Sequence, residues 1–178
     1  MTVRDIVKFP DKRLKLKSEP VKYLDSHVRA LVNDMLDTMY DAPGIGLAAI
    51  QIGIAVRIVV IDVSKKEDAH ERHILINPEI VWASEETMKR EEGCLSIPEQ
   101  YEQIERSERV TVKFRNLDGE EREIDANGML ATCIQHEVDH TNGILFIDHL
   151  SRLKRDLFVR KYRKFTKAAN APKKRVEA

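Results

Sequence analysis

The chain has 178 residues, 42% of them apolar and 34% charged, which describes one ordinary globular domain with a real core and excludes a disordered chain. No apolar run approaches the ~20 residues that a membrane helix requires. The formal net charge of zero hides an uneven spread: from Ser151 onward 11 Lys/Arg face 2 Asp/Glu, so a basic tail follows an acidic body and points to a polyanionic partner.

Residues 1–17 mix Asp5 and Asp11 with scattered Lys and Arg, without the apolar core of a secretory signal, and read as mature and cytoplasmic. Val28, Leu31, Val32, Met35, Leu36 and Met39 share one face of a helix that Asp25 or Ser26 caps and Pro43-Gly44 ends. Gly44-Ile45-Gly46-Leu47-Ala48-Ala49 matches G-x-G-x-x-A, but a helix precedes it and a strand comes after, so a dinucleotide loop is disfavoured. Two readings stay open there: a plain helix-to-strand connection, or a loop whose glycines let the backbone approach a substrate, with Gln51 as a side-chain donor.

The β-branched run Val56–Val63 predicts a strand, and residues 64–72 a charged turn. His73–Ile76 and Ile80–Trp82 predict strand segments separated by a kink at Asn77-Pro78. Arg109–Arg115 alternates polar and apolar residues as a half-buried antiparallel strand does, and Arg122–Asp125 is its expected return strand across Leu117–Glu120. Asn127 opens a helix that Asn142-Gly143 stops. A last helix starts near Ser151, with Leu153, Leu157, Phe158, Tyr162 and Phe165 as its expected apolar side. A β-rich middle with two helices after it indicates an α+β fold. The division expected is a catalytic body over 1–150 and, within the same domain, a basic C-terminal helix and tail over 151–178.

The helix over 127–141 carries Gln135-His136-Glu137-Val138-Asp139-His140. His136 and His140 are four residues apart and project from one helical face; Glu137 is next to the first and can reach a metal-bound water without ligating the metal. This is the H-E-x-x-H arrangement of two ligands and a general base. A catalytic site of this type takes three protein ligands. The downstream sources fail: Phe146 stands where an extended motif needs a third histidine, and the one downstream glutamate is Glu177. Asp148 and His149 read as surface or capping residues. Upstream, Cys94 lies in the constrained segment Glu91-Glu92-Gly93-Cys94-Leu95-Ser96-Ile97-Pro98 and is the best candidate. Cys133 reads instead as a small buried packer on the motif helix, and a disulfide is not expected.

Taken together, Gly44–Gln51, Glu92–Ser96 and Gln135–His140 resemble, in order and spacing, the peptide deformylase family of bacterial type, and the resemblance spans nearly the whole chain from Phe9-Pro10-Asp11. It implies antiparallel sheets packed around a central ligand helix. It also implies an enzyme of protein biosynthesis, a metal-dependent hydrolase that takes the formyl group from the N-terminal formyl-methionine of nascent polypeptides and releases formate. The implied metal ligands are Cys94, His136 and His140. Glu137 is the implied general acid/base, Gln51 and the Leu95 N–H the implied oxyanion donors, and Gly46 a contact for the substrate backbone. One divalent metal is implied, Fe²⁺ first, with Zn²⁺, Ni²⁺ or Co²⁺ as ions that purified protein can carry; ligand softness alone suits zinc, iron or nickel.

The methionine pocket is expected to be apolar, with Met129 and Cys133 in its lining. One departure stands out: some relatives carry an arginine just after Pro98-Glu99-Gln100, proposed to hold the peptide, where this chain has Tyr101. The expected partners are nascent formyl-Met peptides and, through the basic C-terminal helix, the ribosome, with neither membrane nor dinucleotide. Two competing readings are a ribosome- or RNA-binding module built on residues 152–175, and an H-E-x-x-H endopeptidase, which the missing downstream ligand disfavours.

Overall fold

The run Ile58-Val59-Val60-Ile61 is β-branched at every position, with no polar residue to mark a solvent side. Such a run forms a strand covered on both faces. In the computed structural model, which describes residues 2–64 and 71–169, it is β2 (Ile58–Ile61), with all four side chains buried. Val59 and Ile61 join one core cluster with Ala131, Ile134 and Val138, while Ile58 and Val60 join another with Val32, Met35 and Met39. One sheet thus separates two cores, with a helix over each.

The strands around β2 are β1 (Gly46–Ala48), β3 (His73–Ala83), β6 (Arg109–Arg115) and β7 (Glu121–Asn127), ordered β1-β2-β3-β6-β7 and antiparallel throughout. β4 (Thr87–Cys94) and β5 (Ile97–Ser107) form a separate two-stranded hairpin. Helix α1 (Ser26–Asp41) begins where the Asp25 carboxylate accepts the His27 and Val28 N–H groups, each at 3.0 Å. Helix α2 (Gly128–Thr141) is the motif helix and ends at Asn142 and Gly143, the glycine at φ 73°. Helix α3 (Arg152–Ala169) comes last. The fold is α+β, with the motif helix between the sheet and the hairpin, as expected.

Two expectations need correction, and two strands were not expected. Asn77-Pro78 does not divide a strand: β3 runs through it, with register shifts on either side of Glu79 and Ile80. Asn77 takes φ 54°, and its amide clamps the backbone of Val21, accepting from Val21 N at 2.7 Å and donating to Val21 O at 2.8 Å. The proline therefore sits at a bulge, where a missing donor is tolerated. The long strands β4 and β5 have no apolar alternation; charge pairs support them instead, Lys89 facing Glu105 at 3.7 Å and Arg90 meeting Glu108 at 3.2 Å. On α3, Phe158 and Tyr162 are buried in a third cluster with Leu14, Ile97 and Phe146, but Leu153 and Leu157 are 71% and 56% exposed. The inward face begins one turn later than the apolar positions suggest. Of the expected turn over 64–72, residues 65–70 lie outside the described residues.

Asn77→Ala deletes both hydrogen bonds to Val21 and leaves a β-carbon at positive φ. We expect a loss of ~2 kcal/mol in denaturant unfolding. Asn77→Gly, which accepts the backbone angle, should recover only the conformational share.

Candidate metal centre and cavity

His136 and His140 sit on one face of α2 because they are four residues apart, and the facing wall is the end of the β4–β5 hairpin. Cys94 closes β4 there. Its Sγ lies 3.2 Å from His140 Nε2, and the ligand atoms of Cys94, His136 and His140 all fall within 4.8 Å of one another. Among the described residues no other group of three His, Cys, Asp or Glu side chains gathers in this way. One thiolate and two imidazoles suit a first-row divalent ion, and the separations are short enough for one ion to be shared.

The two imidazoles differ in their electrostatics. Burial works against a charged His136, yet hydrogen bonding to Cys94 and Glu92 and the carboxylate of Glu137 outweigh it and raise its pKa well above the ordinary value. The surroundings therefore favour positive charge at this point. Burial, with the charge of His136 acting in the same direction, drives His140 well below its ordinary value, towards the neutral form that ligates metals.

Each imidazole stands in a different setting. His136 Nδ1 meets Glu92 Oε2 at 2.8 Å, which leaves Nε2 for the cluster. Glu92 is buried and also bound by Arg106, whose Nη2 donates to Oε2 at 3.0 Å and whose Nη1 donates to Asp139 Oδ2 at 2.8 Å. Asp139 in turn meets His149 Nε2 at 2.7 Å. Burial alone would raise the Glu92 carboxyl; the hydrogen bonds from His136 and Arg106 overcome that and bring it to about 2. His140 Nδ1 is buried and finds no partner among the described residues.

Glu137 points to the other side of the cluster. It is buried, its Oε2 has no partner among the described residues, and burial raises its carboxyl to about 7. Gly46 is why strand β1 can lie this close. A Cβ there would fall 2.5 Å from Glu137 Oε1 and 2.7 Å from Cys133 Sγ, so a larger residue would have to displace those side chains.

Gln51 has a fixed amide. Its Oε1 accepts the Ala48 N–H at 2.8 Å, which turns the NH₂ towards Cys94 Sγ at 3.5 Å and Ser96 Oγ at 3.3 Å. Leu95 lies in the β4–β5 turn beside it and lines the same cavity of about 490 Å³. Gly46, Gln51, Cys94, Leu95, His136 and Glu137 all face that cavity, as do Met129 and Cys133, so six of the seven expected site residues line it. His140, the seventh, is fully buried behind it.

The sequence reading missed Glu92, Arg106 and Asp139 as a buried ionic support; nothing in local spacing links residues so far apart in the chain. Arg106 is held between the two carboxylates. Cys133 is buried as expected, and Asp148 caps the Leu145 N–H at 2.8 Å.

The polypeptide deformylase family model matches residues 3–156. A peptide deformylase of Afipia carboxidovorans is 57% identical over 169 residues, covering 95% of this chain and 97% of the relative. One of Methylocella silvestris is 55% identical, covering 98% and 91%. The crystal structure of a peptide deformylase from Legionella pneumophila superposes with a TM-score of 0.87 at 46% identity, covering 96% of this chain and 100% of that one. A peptide deformylase from Ehrlichia chaffeensis in complex with actinonin gives 0.86 at 43% identity, covering 92% and 98%. With the matched family model, two full-length relatives and the same fold at this identity, the chain belongs to the polypeptide deformylase family.

Proposed function

We propose that this enzyme removes the formyl group from the N-terminal formyl-methionine of nascent polypeptides, and that Cys94, His136 and His140 hold the divalent ion it uses. The observation that carries this reading is the convergence of one thiol and two imidazoles beside a buried carboxyl whose Oε2 has no partner among the described residues, with Cys94, His136 and Glu137 at the wall of one cavity and His140 behind it. The ion we propose is Fe²⁺; the donor set also accepts Zn²⁺, Ni²⁺ and Co²⁺. When bound, the metal supplies Lewis acidity and lowers the pKa of a coordinated water.

The remaining tasks fall to side chains and backbone. Glu137, its carboxyl held at about 7, accepts a proton from the attacking water and returns it to the amine. The water oxygen adds to the formyl carbon, the carbon–nitrogen bond breaks, and formate and a free α-amino group leave. The Gln51 NH₂ and the Leu95 N–H stabilise the negative charge on the formyl oxygen. Gly46, at the start of β1, offers its backbone to the peptide. Met129, Thr132 and Cys133 line the cavity from the motif helix, and a largely apolar wall suits a methionine thioether.

We further propose a cytoplasmic enzyme whose residues 1–150 form the catalytic body. Residues 151–178 are proposed as part of the same domain, because α3 buries Phe158 and Tyr162 against that body; residues 170–178 lie outside the described residues. No described helix is long and apolar enough to cross a membrane. The exposed side of α3, including Arg160, Lys161 and Lys164, supports ribosome contact as an added role.

Protein purified anaerobically with ferrous iron should release formate from a formyl-Met peptide. A folded, metal-loaded sample that leaves the formyl group in place would overturn the assignment. Glu137→Gln should keep its metal while kcat falls by about 10²–10⁴-fold, measured by formate release beside metal analysis. For the tail, deletion after Leu150 would remove two core side chains, so charge reversal is the cleaner probe. Arg160→Glu with Lys161→Glu and Lys164→Glu should weaken cosedimentation with ribosomes at low salt and leave turnover of short formyl peptides unchanged.

A further inference from the structure

Three consecutive N-terminal residues each reach the walls that carry the oxyanion donors. The Val7 N–H donates to the Gln51 carbonyl at 2.7 Å, the Lys8 ammonium to the Leu95 carbonyl at 2.6 Å, and the Phe9 N–H to the Ser96 carbonyl at 2.8 Å. Val7 and Phe9 act through backbone groups that almost any residue would supply. Lys8 acts through its side chain, so it is the member of the trio whose identity matters.

The two walls that this segment joins belong to different sheets, and the Leu95 side chain packs across to the cluster of Leu47 and Ala49. Gln51 lies in the turn after β1, and Leu95 in the turn of a hairpin that does not belong to the same sheet. Among the described residues, the side-chain hydrogen bonds between the two walls are those of the Gln51 amide, at 3.5 Å to Cys94 Sγ and 3.3 Å to Ser96 Oγ. An oxyanion site works only if its donors are already at the right separation. The three hydrogen bonds of residues 7–9 span that separation from outside.

Lys8 also lines the cavity, and among the described residues it is the one lysine or arginine that does so; Glu91, Glu92, Glu99 and Glu137 line it too. Burial lowers the Lys8 pKa and the charge of Cys94 opposes the shift, so the ammonium lies within electrostatic reach of the sulfur. Negative charge on a formyl oxygen between Gln51 and Leu95 would therefore develop in a wall rich in carboxylates, with Lys8 as its lysine counter-charge.

We propose that Lys8 is a positioning residue of the oxyanion site, clamping the Leu95 carbonyl to the N-terminal segment so that the Leu95 N–H keeps its distance from the Gln51 amide. The role of the two donors rests on the deformylase reading; the clamp is a property of the fold and can be tested apart from it.

The test compares Lys8→Met, which keeps the length and loses charge and donor, with Lys8→Arg, which keeps both. Two measurements are made on the metal-loaded, full-length protein. Hydrogen exchange by mass spectrometry over residues 92–98 should accelerate in Lys8→Met and return towards wild type in Lys8→Arg, with Tm and metal content unchanged. Formate release should show kcat lower by about 3- to 10-fold at unchanged KM in Lys8→Met, less than deletion of an oxyanion donor costs because the donor remains. Lys8→Arg should restore kcat. Unchanged exchange over 92–98 in Lys8→Met, or a fall in kcat matched by metal loss, would overturn the clamp. If the exchange behaves as stated and even wild-type protein releases no formate, the deformylase reading falls and the clamp stands.

Discussion

A buried guanidinium fixes the relation between the hairpin and the motif helix. Arg106, on β5, is 7% exposed and is held by Glu92 of β4 and Asp139 of α2. Two carboxylates around one guanidinium would leave a net negative charge in a low-dielectric place, and His136 and His149 meet that charge at the two ends. Removing one member of such a group typically costs about 3–5 kcal/mol, because the partner is left buried and unpaired. The group therefore does more than tie three elements together. It makes the orientation of His136, through Glu92, depend on the docking of the hairpin that carries Cys94. Metal-ligand geometry and tertiary packing become one condition.

The motif helix can meet that condition because its two sides serve different neighbours. Ala131, Ile134 and Val138 pack against the sheet in the same cluster as Val59 and Ile61. His136, Glu137 and His140 turn elsewhere, and His136 stacks on Phe146, its ring centroid 6.1 Å away. A helix packed on both sides has little freedom to move, so its polar residues are held before any ligand arrives. The cost of that rigidity is visible at Glu137, a buried carboxyl whose Oε2 has no partner among the described residues. Burial is also the cause that lifts its pKa to about 7, into the range where it can both accept and donate a proton.

Distance along the chain decides how much of this was legible in the sequence. The H-E-x-x-H pair, the cap at Asp25 and the stop at Asn142-Gly143 are local rules, read from residues a few positions apart, and each holds in the structure. Cys94 was legible through its constrained surroundings, although those surroundings proved to be the end of a long hairpin. β4 and β5 were not legible, since their charged residues pair across strands and lack the apolar period that marks a half-buried strand. The ionic support of His136 was not legible either: Glu92 lies 44 residues before it, and no spacing rule reaches that far. On α3 the apolar set was right in kind, but only docking decides which of its members turn inward.

The tyrosine where some relatives carry an arginine is informative about recognition. Around the cavity, Ile45, Tyr101 and Met129 are 45%, 62% and 48% exposed, apolar members of a rim that also carries the exposed carboxylates of Glu91 and Glu99. A cation at that rim would favour peptides with an acidic residue at one position and penalise basic ones. Apolar side chains and backbone groups discriminate far less among the peptide residues beyond the first. Nascent chains share their formyl-methionine and little else, so on the proposed reading a rim of this kind places selectivity in the cavity and tolerance outside it. The Lys8 ammonium is committed to the Leu95 carbonyl, so it does not substitute for the missing arginine.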